Sequence, residues 1–169
     1  MTAPRAGRPG TLDAAHAAQW DAVEEATELL HEERFHDALV ELRRVLRADP
    51  QNAYAFYFLG VALYESGELE AARDAYRACI KLAPQHLGAR VALSHVHRAL
   101  GDPKGAIKEG IAALAQAEGD GDALHAVGLA YLARGEHVAA RKYLEAFLET
   151  HPEFEVEAEV RGILGTLPG

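Results

Sequence analysis

A 34-residue period dominates this sequence. Alanines recur at Ala38, Ala72, Ala106 and Ala140, each one full period after the last. Gly67, Gly101 and Gly135 keep the same interval, as do the apolar residues Leu46, Ile80, Leu114 and Leu148. Pro50, Pro84 and Pro152 fall in one register, with Glu118 standing at the skipped position. Self-similarity at this interval marks a chain of stacked units, each burying its apolar face only against its neighbours. A chain of 169 residues would otherwise read as one globular domain. The period makes it an array.

The clearest unit spans residues 53–84, AYAFYFLGVALYESGELEAARDAYRACIKLAP. Phe56, Leu59, Gly60, Ala62, Gly67, Ala72, Tyr76 and Pro84 supply an aromatic, Leu-Gly, a small residue, a turn glycine, an alanine, an aromatic and a closing proline. On these residues the chain resembles the tetratricopeptide-repeat family. Gly60 and Ala72 are small because two antiparallel helices cross closely there. Gly67 serves the turn between them, and Pro84 forces a break before the next pair. The resemblance implies an all-α fold, a right-handed superhelix of four helix-turn-helix repeats plus a C-terminal capping helix. The repeats fall at about 12–50, 53–84, 87–118 and 121–152, with the cap and tail at 153–169.

The units are not equal. In the first, Glu25 takes an apolar position and the turn, HEERFHD, has no glycine, as suits an N-terminal cap. In the third, Asp102 can cap the second helix and Pro103 fits its first position. Gly105 and Gly110 each cost about 1 kcal/mol relative to alanine there. Gly110 also replaces the core aromatic, and His97 replaces the usual tyrosine. These substitutions predict a soft third unit. After Pro152, an apolar face of Phe154, Val156, Val160, Ile163 and Leu164 opposes a charged one, which a closing helix requires.

Composition excludes several classes of function. A net charge of -9 argues against a nucleic-acid partner, which needs clustered Lys and Arg. Cys79 is the single cysteine, so no intramolecular disulfide forms, and its apolar setting reads as a small buried hydrophobe. Residues 1–11 read as a flexible tail without a signal-peptide core, and no run of about 18 apolar residues occurs. A cytoplasmic location without membrane insertion is the default expectation. No phosphate-cradling glycine loop, HExxH or GxSxG is present, so the chain reads as no enzyme, with no cofactor and no metal. Glu24, Glu25 and Glu28 read as a solvated helix face.

Nine histidines are many for this length. His16, His31, His36, His86, His137 and His151 fall near helix ends and are expected to be exposed. His95 and His125 would face one groove from neighbouring repeats. Two ligands without a third make a poor metal site, so groove lining is the simpler reading.

The family resemblance implies a concave groove lined by the first helix of each pair. Carried over by register, that stripe is Tyr54, Tyr57, Val61 and Tyr64, then Val91, His95 and Arg98, then His125, Leu129 and Leu132. Val23, Thr27 and Leu30 would continue it. The Lys, Asn and Arg positions with which some members hold acidic chaperone tails are here Val23, Thr27, Phe58, Gly88 and Ala92, so that grip is missing. The first helix of the second repeat carries more aromatic surface than its packing face uses, with Tyr54, Tyr57, Phe58, Val61 and Tyr64 outside it. Surplus of this kind marks interaction sites.

The expected function is therefore a non-enzymatic adaptor or chaperone-like module. It would bind a peptide or helical segment with hydrophobic anchors. A self-associating scaffold and an accessory subunit of an enzyme are the alternatives. The apolar groove is similar to that of bacterial secretion chaperones of this family, which suggests a bacterial source.

Overall fold

A computed structural model describes residues 13–169, and the expected tail at 1–11 lies outside the described residues. Among these residues the regular structure is entirely α-helical. The helices are α1 (Asp13–His31), α2 (Phe35–Ala48), α3 (Ala53–Glu65), α4 (Leu69–Leu82), α5 (Leu87–Ala99), α6 (Pro103–Gln116), α7 (Gly121–Arg134), α8 (His137–Leu148) and α9 (Phe154–Thr166). They form two compact units, one ending at Pro84 and the other running from Gln85 to Gly169.

Periodic side chains start these helices. Asn52, His86 and Asp120 stand one period apart. Each accepts a hydrogen bond from the amide three positions on, at Ala55 (3.1 Å), Ala89 (3.0 Å) and Ala123 (2.9 Å). Each thereby satisfies one of the amides that a helix start leaves without a partner. Asn52 is fully buried, and its Nδ2 also donates to the Gln19 carbonyl at 2.9 Å, tying α1 to the start of α3. His86 was expected to be exposed; its capping bond holds it half-buried instead.

The turns inside the pairs are periodic as well. Gly67, Gly101 and Gly135 have φ near +80°, and Glu33 takes the same place in the first pair with φ of 56°. A glutamate there adopts a backbone conformation that costs a residue with a Cβ about 1–2 kcal/mol. The glycine missing from that turn was thus replaced without changing the turn.

Within each unit the core forms where small residues let helices approach. In the first unit Ala38, Ala55, Ala62, Ala72 and Cys79 are fully buried. A Cβ at Gly60 would lie 2.5 Å from the Tyr76 ring, so glycine on α3 makes room for the aromatic on α4. Burial pushes the Cys79 thiol up to about 12, as the small-hydrophobe reading requires.

In the second unit, Gly128 likewise seats Leu144, whose side chain would lie 2.6 Å from an added Cβ. Leu124, Leu144 and Phe147 close a cluster around the fully buried Val160 of α9. Arg141 on α8 donates to the carbonyls of Leu164 (3.3 Å), Leu167 (3.3 Å) and Pro168 (3.4 Å), satisfying the end of α9. Phe154 departs from the expected apolar face: it is 83% exposed.

The α5–α6 pair shows what surrounds its glycines. Gly110 is the counterpart of Tyr76, and Ser94 the counterpart of Gly60, each one period further along the chain. Bulk has moved across the interface. A Cβ at Gly110 would meet Val127 at 2.5 Å and the Ser94 hydroxyl at 3.4 Å. Ser94 is buried and donates to the Ala106 carbonyl at 2.7 Å. Gly105 leaves space for Asp102, whose Oδ1 accepts from the Gly105 amide at 2.9 Å. The same carboxylate pairs with His97 at 3.0 Å and is held below its usual pKa, first by that amide bond. Gly110 is thus required by close approach, whereas Gly105 lies against the exposed Asp102 side chain.

Candidate functional site

The eleven residues expected to line a groove divide between the two units. In the first unit, Tyr54, Tyr57, Phe58, Val61 and Tyr64 are all half-buried on α3. Three of their rings meet Trp20 or one another. Trp20 of α1 stands edge-on to Tyr54 at 5.3 Å and lies 6.0 Å from Phe58, which in turn meets Tyr57 at 5.2 Å. Beside Phe58 and Val61 lies a depression of about 230 Å³, closed on the α1 side by Thr27, Leu30 and His31. Trp20 remains 45% exposed.

Tyr57 has a second duty. Its ring lies 6.0 Å from that of Tyr76, the core residue seated over Gly60. It therefore braces the α3–α4 pair as well as facing outward, contrary to its exclusion from the packing series. Phe58 is the cleaner probe of this surface.

Sequence reasoning passed over Trp20, although the signal was present. Trp20 lies one period before Tyr54, in the column that begins the stripe. Val23, proposed as part of the stripe, is fully buried, whereas Thr27 and Leu30 line the depression.

In the second unit, Val91 leaves the stripe. It is only 8% exposed and packs with Ala113, Ala123 and Ala126. Leu129 packs against the Leu124–Leu144–Phe147–Val160 cluster, and Leu132 is half-buried. His95 and His125 do come together, with ring centroids 6.2 Å apart. His125 stacks on Phe147 at 4.6 Å and 19°. Burial, the Arg98 charge and the neighbouring His125 hold the His95 pKa at about 4; burial also lowers that of His125. No group of three or more potential metal ligands occurs among the described residues, and no helix among them is long and apolar enough to cross a membrane.

The family model described as "Tetratricopeptide repeat" matches residues 23–86 and 91–153. The chain belongs to the tetratricopeptide-repeat family. Among solved structures of this fold, it is similar to MamA, with 27% identity and a TM-score of 0.71, covering 82% of this chain and 75% of that one. A second likeness is to MamA 41-end from Desulfovibrio magneticus RS-1, at 21% identity and TM-score 0.70, covering 78% and 74%. A third is to the first TPR of Spaghetti (RPAP3) bound to the HSP90 peptide SRMEEVD, at 24% identity and TM-score 0.61, covering 68% and 92%. At these lower identities the last two speak for the fold alone. No curated protein matches the sequence.

Proposed function

We propose that this tetratricopeptide-repeat protein is a non-enzymatic binding module whose first unit takes a peptide or helical segment with apolar anchors. The helices are read as four helix-turn-helix repeats closed by α9, and the site of action as cytoplasmic. One observation carries the functional reading: a half-exposed tryptophan joins a run of rings that ends at an apolar depression. Aromatic residues at the edge of such depressions supply large, stiff contact area and dominate most interfaces. The peptide-bound RPAP3 domain supports the reading by analogy of fold.

The flanking charge selects the partner. Along α1, Trp20, Glu24, Thr27 and His31 share one stripe at helical spacing, with Glu28 one turn after Glu24. An apolar surface beside exposed glutamates, on a chain of net charge -9, favours basic flanks and repels acidic ones. Nucleic acid is not the expected partner.

Trp20 is the only tryptophan, so its fluorescence reports on the surface directly. The test titrates the protein with two amphipathic peptides sharing leucine and phenylalanine anchors, one flanked by lysine and one by glutamate. Saturable quenching or a blue shift with the lysine-flanked peptide, lost in Phe58→Ala, is expected. Binding that survives Phe58→Ala, or that prefers glutamate flanks, overturns the proposal. Concentration-dependent association without peptide would instead point to a self-associating scaffold.

A further inference from the structure

The second helices of the first unit carry charge in the same period that carries packing. Arg43 and Arg47 of α2 reappear one repeat later as Arg77 and Lys81 of α4. All four are exposed. Within each couple the two residues stand one helical turn apart, so their side chains share a face. Val40 continues that face on α2 and is itself 54% exposed. Both helices pack against α3.

The remaining cations of this unit are paired, and these four are not. Arg34 meets Glu32 and Asp37, Arg44 meets Glu41, and Arg73 meets Asp74. Arg43, Arg47, Arg77 and Lys81 have no ion pair or hydrogen bond among the described residues. Glu70 lies on the same side of α4, but seven residues before Arg77, which is about 10 Å along the helix axis. Complementing the helix dipole accounts for Arg47 and Lys81, which stand in the last turns of their helices. Arg43 and Arg77 stand a full turn earlier. The repeat itself does not require cations in these columns, because α6 places Ile111 and Ala115 there and α8 places Glu145 and Glu149.

We propose that α2 and α4 form a docking stripe for an acidic segment of a partner protein. Three of the four cations are arginines, whose planar fork matches a carboxylate with two hydrogen bonds. Carboxylates one helical turn apart on the partner meet the one-turn spacing within each couple. Val40 adds an apolar contact beside the charges. The net charge of -9 selects among anions. A membrane plane or a long nucleic acid would meet the remaining glutamates as well as the stripe. A narrow segment meets chiefly these four cations, because charges beyond a screening length of about 8–10 Å are largely damped at ordinary salt. The stripe belongs to α2 and α4 and the aromatic surface to α1 and α3, so either stands or falls without the other.

The test follows the anisotropy of a labelled, end-blocked helical peptide with glutamates at one-turn spacing, titrated with the full chain at low and at physiological salt. The same peptide with glutamines, phosphatidylserine vesicles and a single-stranded oligonucleotide are the comparisons. Saturable binding of the glutamate peptide, weakened by salt and lost with glutamines, is expected. Arg43→Gln/Arg47→Gln should weaken it about tenfold. Arg34→Gln/Arg44→Gln removes the same charge from cations that are already paired, and should weaken it by less than about twofold. That contrast separates a stripe from the overall charge of the chain. Phe58→Ala should leave the binding unchanged. Circular dichroism checks the fold of each variant, and Arg77→Gln/Lys81→Gln serves if the α2 variant does not fold. Equal loss from the paired and unpaired variants, no saturable binding, or tighter binding to vesicles or oligonucleotide overturns the proposal. So does salt-sensitive association of the free chain that Arg43→Gln/Arg47→Gln abolishes, which would assign the stripe to a second copy.

Discussion

One repeat apart in the chain, α3–α4 and α5–α6 use one backbone plan for different chemistry. In the first, Gly60 receives Tyr76; in the second, Ser94 faces Gly110 and Val127 fills the space. On the outward stripe, Val61 and Tyr64 become His95 and Arg98. The constraints on the two faces differ in rigidity. Packing density must be kept, but either helix of a pair can supply the bulk. The outward stripe is held by neither requirement, so the two units can present surfaces as unlike as a ring ladder and a histidine–arginine cluster.

Acid should separate the units most. Burial lowers the pKa of His86, His95 and His125, that of His95 to about 4. A histidine depressed in the folded state contributes stability that is complete above its unfolded value of about 6.5. That contribution is lost as pH falls towards the folded value. His95 alone is expected to contribute on the order of 2–3 kcal/mol at neutral pH by this linkage. Hydrogen exchange, corrected for intrinsic pH dependence, should show α5–α9 losing protection between pH 6.5 and 4.5 before α3–α4. Equal losses in both units would break the comparison, and His95→Gln should reduce the difference.

The surfaces should separate next. Phe58→Ala is expected to cost about 2 kcal/mol in affinity for the lysine-flanked peptide, the scale of an interface anchor. Arg98→Gln should leave that affinity unchanged. An equal loss from both variants, measured by anisotropy of a labelled peptide, would merge the two surfaces into one.

The exchanged bulk is tested by adding one methyl group. Helix propensity alone predicts that Gly110→Ala stabilises α6 by about 1 kcal/mol. Contact with Val127 predicts the opposite sign, a loss of about 1–2 kcal/mol. Gly60→Ala, beneath Tyr76, should cost a similar amount. Chemical denaturation of both variants decides, and a more stable Gly110→Ala protein would restore the view of α6 as a soft helix.

The smallest effect lies in the turns. Glu33→Gly relieves a left-handed backbone but adds freedom to the unfolded chain, leaving a net gain below about 1 kcal/mol. Gly67→Ala, at the equivalent turn, should destabilise by about 1 kcal/mol. Thermal denaturation of the pair checks both. A loss of stability in Glu33→Gly would show that the glutamate side chain compensates for its backbone.

The sequence alone determined the helices, their pairing and their turns, because close crossing and left-handed turns admit few residue types and therefore repeat visibly. The even spacing of Ala38, Ala72, Ala106 and Ala140 was legible for that reason, and all four are fully buried. The N-cap column Asn52, His86 and Asp120 was equally periodic but hid behind three different side chains that do one job. The candidate surfaces were legible as columns and not as contacts. Only tertiary structure withdrew Val91 and Val23 into the core, brought Trp20 onto the rings of α3, and buried Arg98 Nε and His125 Nε2 without a hydrogen-bond partner among the described residues. Burial depends on what a neighbouring helix places opposite, and a repeat register records only where a residue stands on its own helix.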